Sequence, residues 1–379
     1  MKKKIIIVTG ARPNIMKAFA VYKSLQNNYD ITLIHTGQHY DYDMSDIFFD
    51  ELRLKPDIKL NLESKTKAGM LDNFLYNNNN IFEMDVLDVV QHLLSSELKK
   101  CGQLGEIIIK LEKFIKDMCL VITFGDVTST LAAALCCHKL NIKIAHIESG
   151  LRNFDNQMPE EINRYIVDHI SNYNFCSEKS GLINLINEGI TKDCYLVGNT
   201  MLETLRYNLD EIKSKKSYLK YEMEPYNYVL LTLHRHENVD NKENLDVVLT
   251  DLIKLSEKYK IIWPVHPRTK KSMYNLDIVD NIILIDPQGY LDFTCLQYYS
   301  KFIITDSGGI QEEANEMGIT CFTLRKNTER PSTLIENGGT NILIHSIKEI
   351  NEHIIVRKDN SINDHTPSHH IANILKKVI

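Results

Sequence analysis

Short apolar runs, each followed by turn residues and then by helical periodicity, recur along most of this 379-residue chain. The clearest apolar runs are Lys4–Thr9, Leu120–Phe124, Tyr228–Leu233, Ile261–Val265 and Phe302–Thr305. Apolar strands that alternate with helices are typical of parallel sheets covered on both faces. Two such halves predict an α/β protein with two doubly wound, Rossmann-like domains and an interdomain cleft.

The domain boundary is predicted near Gly198-Asn199, after an apolar run at 195–197. The expected N-terminal domain is therefore residues 1–198, and the expected C-terminal domain is residues 199–369. A last helical pattern, residues 370–379, is expected to pack back on the N-terminal domain.

One segment, at about 69–101, breaks the alternation and is expected to be an insert. It contains the polar run Asn77–Asn80, which is typical of a surface loop. The run is followed by Ile81–Leu98, which could form a helix by itself.

Composition excludes several classes of protein. The net charge of −6 argues against a nucleic-acid or membrane-surface protein, which would carry a basic balance. No stretch reaches the ~18 apolar residues of a membrane span, and the first apolar run is too short for a secretory signal. The eight cysteines form no Cys-x-x-Cys pair, so we expect reduced thiols in a cytoplasmic protein without a zinc site.

The strongest local motif is TDSGGIQEE at 305–313, which follows an apolar run and opens a helical pattern. A helix start with paired glycines lets a phosphate approach unpaired backbone N–H groups. Glu313, in the following turns, could bind ribose hydroxyls. The same pattern also suits an ordinary strand–helix turn, because glycine motifs are frequent.

Basic residues follow two of the apolar runs. Arg12 and Lys17 come after the first run and could converge on one anion at a helix start, although Lys17 taken alone is more typical of a solvated surface residue. Arg325 and Arg330 lie in the second half, and Arg330 precedes a proline that holds it extended, which suits a diphosphate.

Carboxylates follow two further apolar runs. Asp126 lies just past one strand end and Glu148 just past another, and the carboxyl ends of parallel strands face the ligand crevice. Glu160 and Glu161 follow Pro159 at a helix start, where an acidic residue could also act simply as a favourable first-turn charge.

Histidines cluster in LHRHEN at 233–238 and in PVHPR at 264–268. Neither segment has the helical His-x-x-x-His spacing of a metal site. We therefore expect imidazoles that contact phosphate and sugar, with no metal and no cofactor.

Taken together, the chain resembles the UDP-N-acetylglucosamine 2-epimerase family, chiefly its non-hydrolysing branch. The resemblance runs from about residue 5 to residue 344. Its motifs, in chain order, are GARPNIMK, HTGQHYD, GDVTST, HIESGLRNFDNQMPEEINR, GNT, HRHEN, PVHPRT, DPQGYLDF and TDSGGIQEEA with TERP.

The resemblance implies the glycosyltransferase-B architecture, an active site in the interdomain cleft and a homodimer. By matching motifs, uridine diphosphate would contact Arg12, Lys17, Gln288, Phe293, Ser307, Gly308, Gly309, Glu313 and Arg330. The positions that match the family's catalytic residues are Asp126, Glu148, Glu160 and His234. Those that match parts of an allosteric site for a second substrate molecule are Gln38, Arg235 and His266.

The implied reaction inverts carbon 2 of UDP-N-acetylglucosamine by anti elimination of UDP and readdition through a 2-acetamidoglucal. It needs acid/base groups for two faces of the sugar, which agrees with several carboxylates in the motifs. Asn14, where the family often has glutamate, and the insert are departures from the family pattern. Four alternatives stay open: a 2-epimerase of a 6-deoxy UDP-N-acetylhexosamine, a hydrolysing 2-epimerase, a UDP-sugar glycosyltransferase and a non-catalytic nucleotide-binding module.

Overall fold

The protein is represented by a computed structural model. It describes residues 2–37, 46–60, 62–63, 85–95, 98, 101–155, 158–239, 241–265, 269, 280–350, 354–355, 357–358 and 366–379. The chain divides into two compact units, here called unit 1 (Met1–Thr204 and Asp364–Ile379) and unit 2 (Leu205–Asn363).

Unit 1 is built on one parallel sheet. Its strands are β1 (Lys3–Thr9), β2 (Tyr29–His35), β3 (Ile58–Lys59), β4 (Leu120–Phe124), β5 (Ile144–Ile147), β6 (Tyr173–Cys176) and β7 (Cys194–Leu196). The order is β3-β2-β1-β4-β5-β6-β7. Because the order reverses between β1 and β4, the loops after these two strands diverge and leave room for a ligand at their carboxyl ends.

Helices cover this sheet. They are α1 (Arg12–Leu25), α2 (Asp46–Glu51), α3 (Val86–Ser95), α4 (Gly102–Ile115), α5 (Thr128–Leu140), α6 (Pro159–Ile170), α7 (Lys179–Asn187), α8 (Thr200–Tyr207) and, after unit 2, α14 (Pro367–Val378). The core runs between the sheet and α3, α4, α5 and α6. Helix α5 is apolar all round and buried along most of its length, as expected of a helix between a sheet and a further helix layer.

Unit 2 repeats the same plan. Its strands are β8 (Tyr228–Thr232), β9 (Lys260–Pro264), β10 (Ile282–Ile285), β11 (Phe302–Thr305), β12 (Cys321–Leu324) and β13 (Asn341–Ile344). The order is β10-β9-β8-β11-β12-β13, with every pair parallel, so the reversal lies between β8 and β11. Its helices are α9 (Leu209–Lys215), α10 (His236–Val239), α11 (Lys242–Ser256), α12 (Tyr290–Tyr298) and α13 (Gly308–Glu316). The predicted α/β class with two doubly wound parallel sheets is confirmed.

The segment predicted to be an insert contributes to the core of unit 1. Helix α3 buries Val86, Val89, Val90 and Leu93 among residues of α4, α5 and α6. The polar run at 77–80 lies outside the described residues. The described part of the segment is therefore integral to the packing of unit 1.

The last helix packs against the first. Helix α14 buries Ile371 and Leu375, and the Ser24 hydroxyl of α1 donates to the Ser368 carbonyl at 3.0 Å. Glu203 accepts from the Ser368 backbone N–H at 2.8 Å and from its hydroxyl at 2.7 Å. Across the described ranges, every helix is too short or too polar to cross a membrane.

Candidate active site

The loops after β1, β4 and β5 meet around Gly125 in unit 1. Gly125 has a φ of +61°, and a Cβ added there would lie 3.2 Å from Lys17 Nζ and 3.9 Å from Glu148 Oε1. Such a position demands glycine, because of both the left-handed backbone and the close approach of charged groups. The residue after this tight turn is Asp126, so the fold brings Lys17, Asp126 and Glu148 to one end of the sheet.

Glu148 and Lys17 form a buried ion pair between Oε2 and Nζ. Only about one twentieth of each side chain is exposed, at 5% for Glu148 and 6% for Lys17. Lys17 is thus not the solvated surface residue that the sequence left open. Glu148 has a φ of +72°, which costs a residue with a Cβ about 1–2 kcal/mol and marks a position held by its surroundings.

Asp126 is held by helix α6. Its carboxylate pairs with the Arg164 guanidinium, and its carbonyl accepts from Asn163 Nδ2 at 2.7 Å. About a quarter of the Asp126 side chain stays exposed, at 23%, whereas the Arg164 side chain is 5% exposed. The carboxylate is therefore fixed in orientation and still accessible to a ligand.

The two adjacent glutamates at the start of α6 have different environments. Glu161 is buried and accepts hydrogen bonds from the backbone N–H groups of Asn153 (3.1 Å) and Phe154 (3.0 Å) and from Arg164 Nη1 (2.6 Å). The Glu160 side chain is half-buried, and its carboxylate makes no hydrogen bond or ion pair with another described residue. Glu161 is accordingly structural, and Glu160 is the more accessible of the two carboxylates.

Asn14 connects the two strands between which the strand order of unit 1 reverses. Its Oδ1 accepts from the backbone N–H groups of Gly10 (3.2 Å) and Ala11 (3.1 Å), and its Nδ2 donates to the Phe124 carbonyl at 2.9 Å. The side chain is 2% exposed and ties the end of β1 to the end of β4. An ionised glutamate could accept the first two bonds but could not donate the third, so the amide suits this site.

Arg12 begins helix α1 at the same end of the sheet. Its guanidinium lies over the Phe48 ring, 4.8 Å from the centroid. This contact supports the side chain from one face. Gln38, which follows β2, lies outside the described residues.

Behind these residues lies a buried charged cluster that sequence reasoning did not single out. Asp168 of α6 bonds His146 Nδ1 at 2.7 Å, Arg152 Nη1 at 2.7 Å and the Gly150 N–H at 3.0 Å. Arg152 in turn makes a bidentate pair with Glu188, at 2.7 Å for each bond. Burial would raise the pKa of Asp168, but Arg152 and His146 outweigh it and lower that pKa to about 2.

A signal for the buried charged residues of α6, Asp168 among them, is present in the sequence of this helix. Glu161, Arg164 and Asp168 have spacings of three and four, so they share one helix face. That face also carries the apolar residues of the core, and charged residues at core-facing positions indicate a paired internal network.

In unit 2, Asp306 follows β11 and contacts the loop after β8, the two strands between which the strand order reverses. Its carboxylate accepts from the backbone N–H groups of His234 (3.0 Å) and Arg235 (2.9 Å), from Asn238 Nδ2 (3.1 Å) and from His234 Nδ1 (2.9 Å). Burial would raise the pKa of Asp306, but His234 and the other donors lower it to about 2. The His234 side chain is 43% exposed, so Asp306 orients an accessible imidazole.

The glycine motif forms the start of helix α13. The Ser307 side chain makes no capping bond to this helix, and Ser307, Gly308 and Gly309 are all half-buried. A Cβ added at Gly308 would lie 2.4 Å from Arg330 Nη1, so glycine is needed for the guanidinium to sit against the helix start. A helix N-terminus beside a guanidinium is a site suited to an anion.

Arg330 belongs to a buried set of four charges. It pairs with Glu312 through Nε at 2.8 Å and with Glu329 through Nη1, and Glu329 also accepts from Arg325 Nη2 at 2.8 Å. Burial lowers the pKa of Arg325, Glu329 opposes that effect, and the charges of Arg235 and Arg330 lower it further. The structure therefore places three guanidinium groups in one neighbourhood of unit 2.

The remaining predicted contacts of unit 2 lie on or near α12. Phe293 is buried in this helix, and Gln288 precedes it in a half-buried loop, where Nε2 donates to the Asp286 carbonyl at 2.7 Å. Glu313 of α13 accepts from Gln297 Nε2 at 2.7 Å. His266 lies outside the described residues.

With this geometry established, comparison with known proteins identifies the family. A family model described as UDP-N-acetylglucosamine 2-epimerase matches residues 23–91 and 70–373. The chain belongs to this family. It is therefore an epimerase, an enzyme of the isomerase class.

Individual members of the epimerase family are similar over most of the chain. A UDP-N-acetylglucosamine 2-epimerase homolog from Methanococcus maripaludis is 40% identical over 357 residues, 91% of this chain and 90% of that protein. A UDP-2,3-diacetamido-2,3-dideoxy-D-glucuronate 2-epimerase from Pseudomonas aeruginosa is 33% identical over 354 residues, 92% of this chain and 90% of that protein. The structure of UDP-GlcNAc 2-epimerase from Methanocaldococcus jannaschii, in complex with UDP-GlcNAc and UDP, aligns with a TM-score of 0.82 at 35% identity and covers 99% of both chains.

Proposed function

We propose that this protein is a non-hydrolysing 2-epimerase that interconverts UDP-N-acetylglucosamine and UDP-N-acetylmannosamine. The observation that carries the proposal is the meeting of Asp126, Glu148 and Lys17 around Gly125. Two carboxylates beside a cation at the carboxyl ends of parallel strands suit removal and return of a weakly acidic proton at a sugar carbon. The names of the similar proteins supply the substrate class.

The proposed reaction has two stages. A carboxylate removes the proton at carbon 2, and the carbon 1–oxygen bond breaks with its electron pair leaving on UDP, which gives a 2-acetamidoglucal. A proton is then delivered to the other face of carbon 2 while a UDP oxygen bonds carbon 1 again. Two faces require two acid/base groups, and Asp126, Glu148 and Glu160 are the proposed set.

Unit 2 is proposed to hold the leaving group. The start of α13 and the guanidinium of Arg330 would stabilise the charge that develops on the departing diphosphate, and the accessible imidazole of His234 would assist. Arg12 and Lys17 of unit 1, with Gln288, Phe293 and Glu313 of unit 2, complete the proposed contacts to UDP. We further propose a cytoplasmic homodimer in which Gln38, Arg235 and His266 take part in binding a second substrate molecule.

A second candidate substrate is favoured by a specific similarity. The relative from Pseudomonas aeruginosa is named for a UDP-sugar that carries a carboxylate at carbon 6 and a second acetamido group. The same two-stage chemistry at carbon 2 would serve that sugar, because neither substituent takes part in the elimination. The 6-deoxy UDP-N-acetylhexosamines form the third substrate to be compared.

The test is to incubate the protein with each of these UDP-sugars in deuterium oxide and follow the products by proton NMR. We expect UDP-N-acetylglucosamine to acquire deuterium at carbon 2 and to give a UDP-N-acetylmannosamine signal. Free sugar with UDP would instead indicate a hydrolysing enzyme, and turnover of another sugar alone would reassign the substrate. Sugar transfer to an acceptor without exchange at carbon 2 would indicate a glycosyltransferase. Asp126→Asn, which keeps the size of the side chain, should retain UDP binding and lose the exchange.

A further inference from the structure

His146 lies directly behind the loop that carries Asp126. It is the second-to-last residue of strand β5, and its side chain is completely buried. One ring nitrogen, Nδ1, lies 2.7 Å from Asp168 Oδ1, and the other, Nε2, lies 2.8 Å from the Gly125 carbonyl oxygen. The imidazole thus bridges a buried carboxylate and the backbone of the tight turn.

Both partners of the ring can only accept hydrogen bonds. A carbonyl oxygen has no proton to give, and the Asp168 carboxylate also accepts from Arg152 and from the Gly150 N–H, so it acts as an ionised group. A neutral imidazole has one donor and one acceptor, which would leave two acceptors facing each other at one end of the ring. Satisfying both ends requires a proton on each nitrogen.

The charges around the ring agree with that state. The charged groups of this buried cluster are Asp168 on α6, Arg152 in the loop after β5 and Glu188 after α7. With a neutral His146 the cluster would carry one net negative charge in the interior. With a protonated His146 the four charges cancel, which is the arrangement that burial favours.

We propose that His146 is a doubly protonated imidazolium that positions Asp126 by holding the Gly125 carbonyl. This inference rests on the proposed function of Asp126. The Gly125 N–H donates to the Ile147 carbonyl at 3.0 Å, and the Asp126 carbonyl accepts from Asn163 at 2.7 Å. The bond from His146 is the third anchor of this turn, and it holds the carbonyl of the peptide group that joins Gly125 to Asp126. His146 does not touch substrate in this proposal and is a positioning residue.

The charge state is tested without any assay of activity. Protein labelled with ¹⁵N-histidine is studied by long-range ¹H–¹⁵N NMR near neutral pH, with His146→Gln used to assign the signal. We expect both ring nitrogens of His146 to resonate as protonated nitrogens. A His146 signal with one unprotonated nitrogen would overturn the imidazolium.

The positioning role is tested by kinetics on His146→Gln. Glutamine can donate at only one end of the gap, so kcat and deuterium entry at carbon 2 should both fall about 10- to 100-fold, as for a small misplacement of a catalytic group. KM and the Kd for UDP should stay within about twofold, since a loss confined to the chemical step lowers kcat without weakening ground-state binding. His138→Gln, an exposed histidine at the end of α5, is the matched control and should behave as the wild type.

The outcomes separate this inference from the proposed function. Wild-type kcat in a folded His146→Gln variant would overturn the positioning role, and so would an equal loss of UDP affinity. If His146→Gln does not fold, Asp168→Asn provides a second test. This variant removes the charged partner of His146 Nδ1, so we expect the NMR spectrum to show one unprotonated ring nitrogen in His146. A wild type that turns over no UDP-sugar would refute the proposed function and leave the NMR result on His146 standing.

Discussion

At the scale of single residues, the start of α6 shows how neighbouring identical side chains are given different tasks. Helical geometry turns Glu161 toward the interior, where Arg164 and two backbone N–H groups bind it, and leaves Glu160 half-buried. The residue types in PEEINR predict two carboxylates at a helix start without distinguishing them, and only the family resemblance singles out Glu160. That distinction depends on the loop before the helix, whose backbone N–H groups complete the environment of Glu161.

Glutamine substitutions should separate these two roles. Glu160→Gln should keep the melting temperature and lower kcat by about 10²- to 10⁴-fold, the usual range for loss of a general acid or base. Glu161→Gln should instead lower stability by about 1.5–3 kcal/mol, because it weakens the charged hydrogen bonds to Glu161 while Asp126 still pairs with Arg164. Thermal unfolding and deuterium exchange at carbon 2 measure the two effects. Equal loss of stability in both variants would contradict the assignment.

The buried aspartates make stability dependent on acid pH. The pKa of Asp306 is lowered to about 2 in the fold, compared with about 3.9 for an unfolded chain. A lowered pKa means that the ionised form stabilises the native state above about pH 4, and that this contribution, about 2 kcal/mol, is lost as the pH falls toward 2. The melting temperature of Asp306→Asn should therefore fall less than that of the wild type between pH 6 and pH 3.

The control for this pH experiment is Asp246→Asn, at an exposed position of α11. Its melting temperature should fall with pH as steeply as that of the wild type. A wild-type slope in Asp306→Asn would contradict the role given to the Asp306 carboxylate. The same comparison should also show a lower kcat for Asp306→Asn, since His234 would lose its charged partner at Nδ1.

At the scale of elements, helix α3 is the part of the fold that the sequence pattern described least well. The break in strand–helix alternation at about 69–101 predicts an insert with a surface loop. The described part is a helix whose apolar side chains complete the core beside α4, α5 and α6. An apolar helical stretch can serve a surface insert or a core, and only the packing partners, which are distant in sequence, distinguish these cases.

Two leucines on α3 provide the test. Leu93 is 1% exposed and Leu87 is 58% exposed, so the same substitution can be made on both faces of one helix. Leu93→Ala should destabilise unit 1 by about 2–5 kcal/mol through lost burial and a cavity. Leu87→Ala should change stability by about 0.5 kcal/mol or less. Denaturant unfolding measures both, and equal small effects would show that α3 is not part of the core.

At the scale of the whole molecule, the alternation of strands and helices predicted both parallel sheets because continuous apolar strands bury both faces of a sheet. Strands β4 and β11 have the predicted bounds, and several others differ by one residue. The buried clusters around Asp168 and Asp306 were not predicted as units. Their members come from strands and helices far apart in the chain, and the pairing arises only once β5 lies beside β6 and β8 beside β11.

The chain also ends in unit 1 after passing through unit 2, and the contacts of α14 predict what its removal does. Helix α14 buries Ile371 and Leu375 completely, and Ser368 binds Glu203 and Ser24. All of these partners lie within unit 1. A chain truncated after Thr366 should therefore lose hydrogen-exchange protection in unit 1, by about 1.5–3 kcal/mol for each large apolar side chain that loses its burial partner.

Peptides from the sheet of unit 2 should keep their hydrogen-exchange protection in the truncated protein. UDP should still stabilise the truncated protein by mass action, by about 2.7 kcal/mol at a UDP concentration of 100 times Kd. His370→Ala, at an exposed position of α14, is the matched control and should leave both units unchanged. Hydrogen-exchange mass spectrometry with and without UDP reads both units in one experiment. Protection lost in unit 2 but retained in α1 would contradict the assignment of α14 to unit 1.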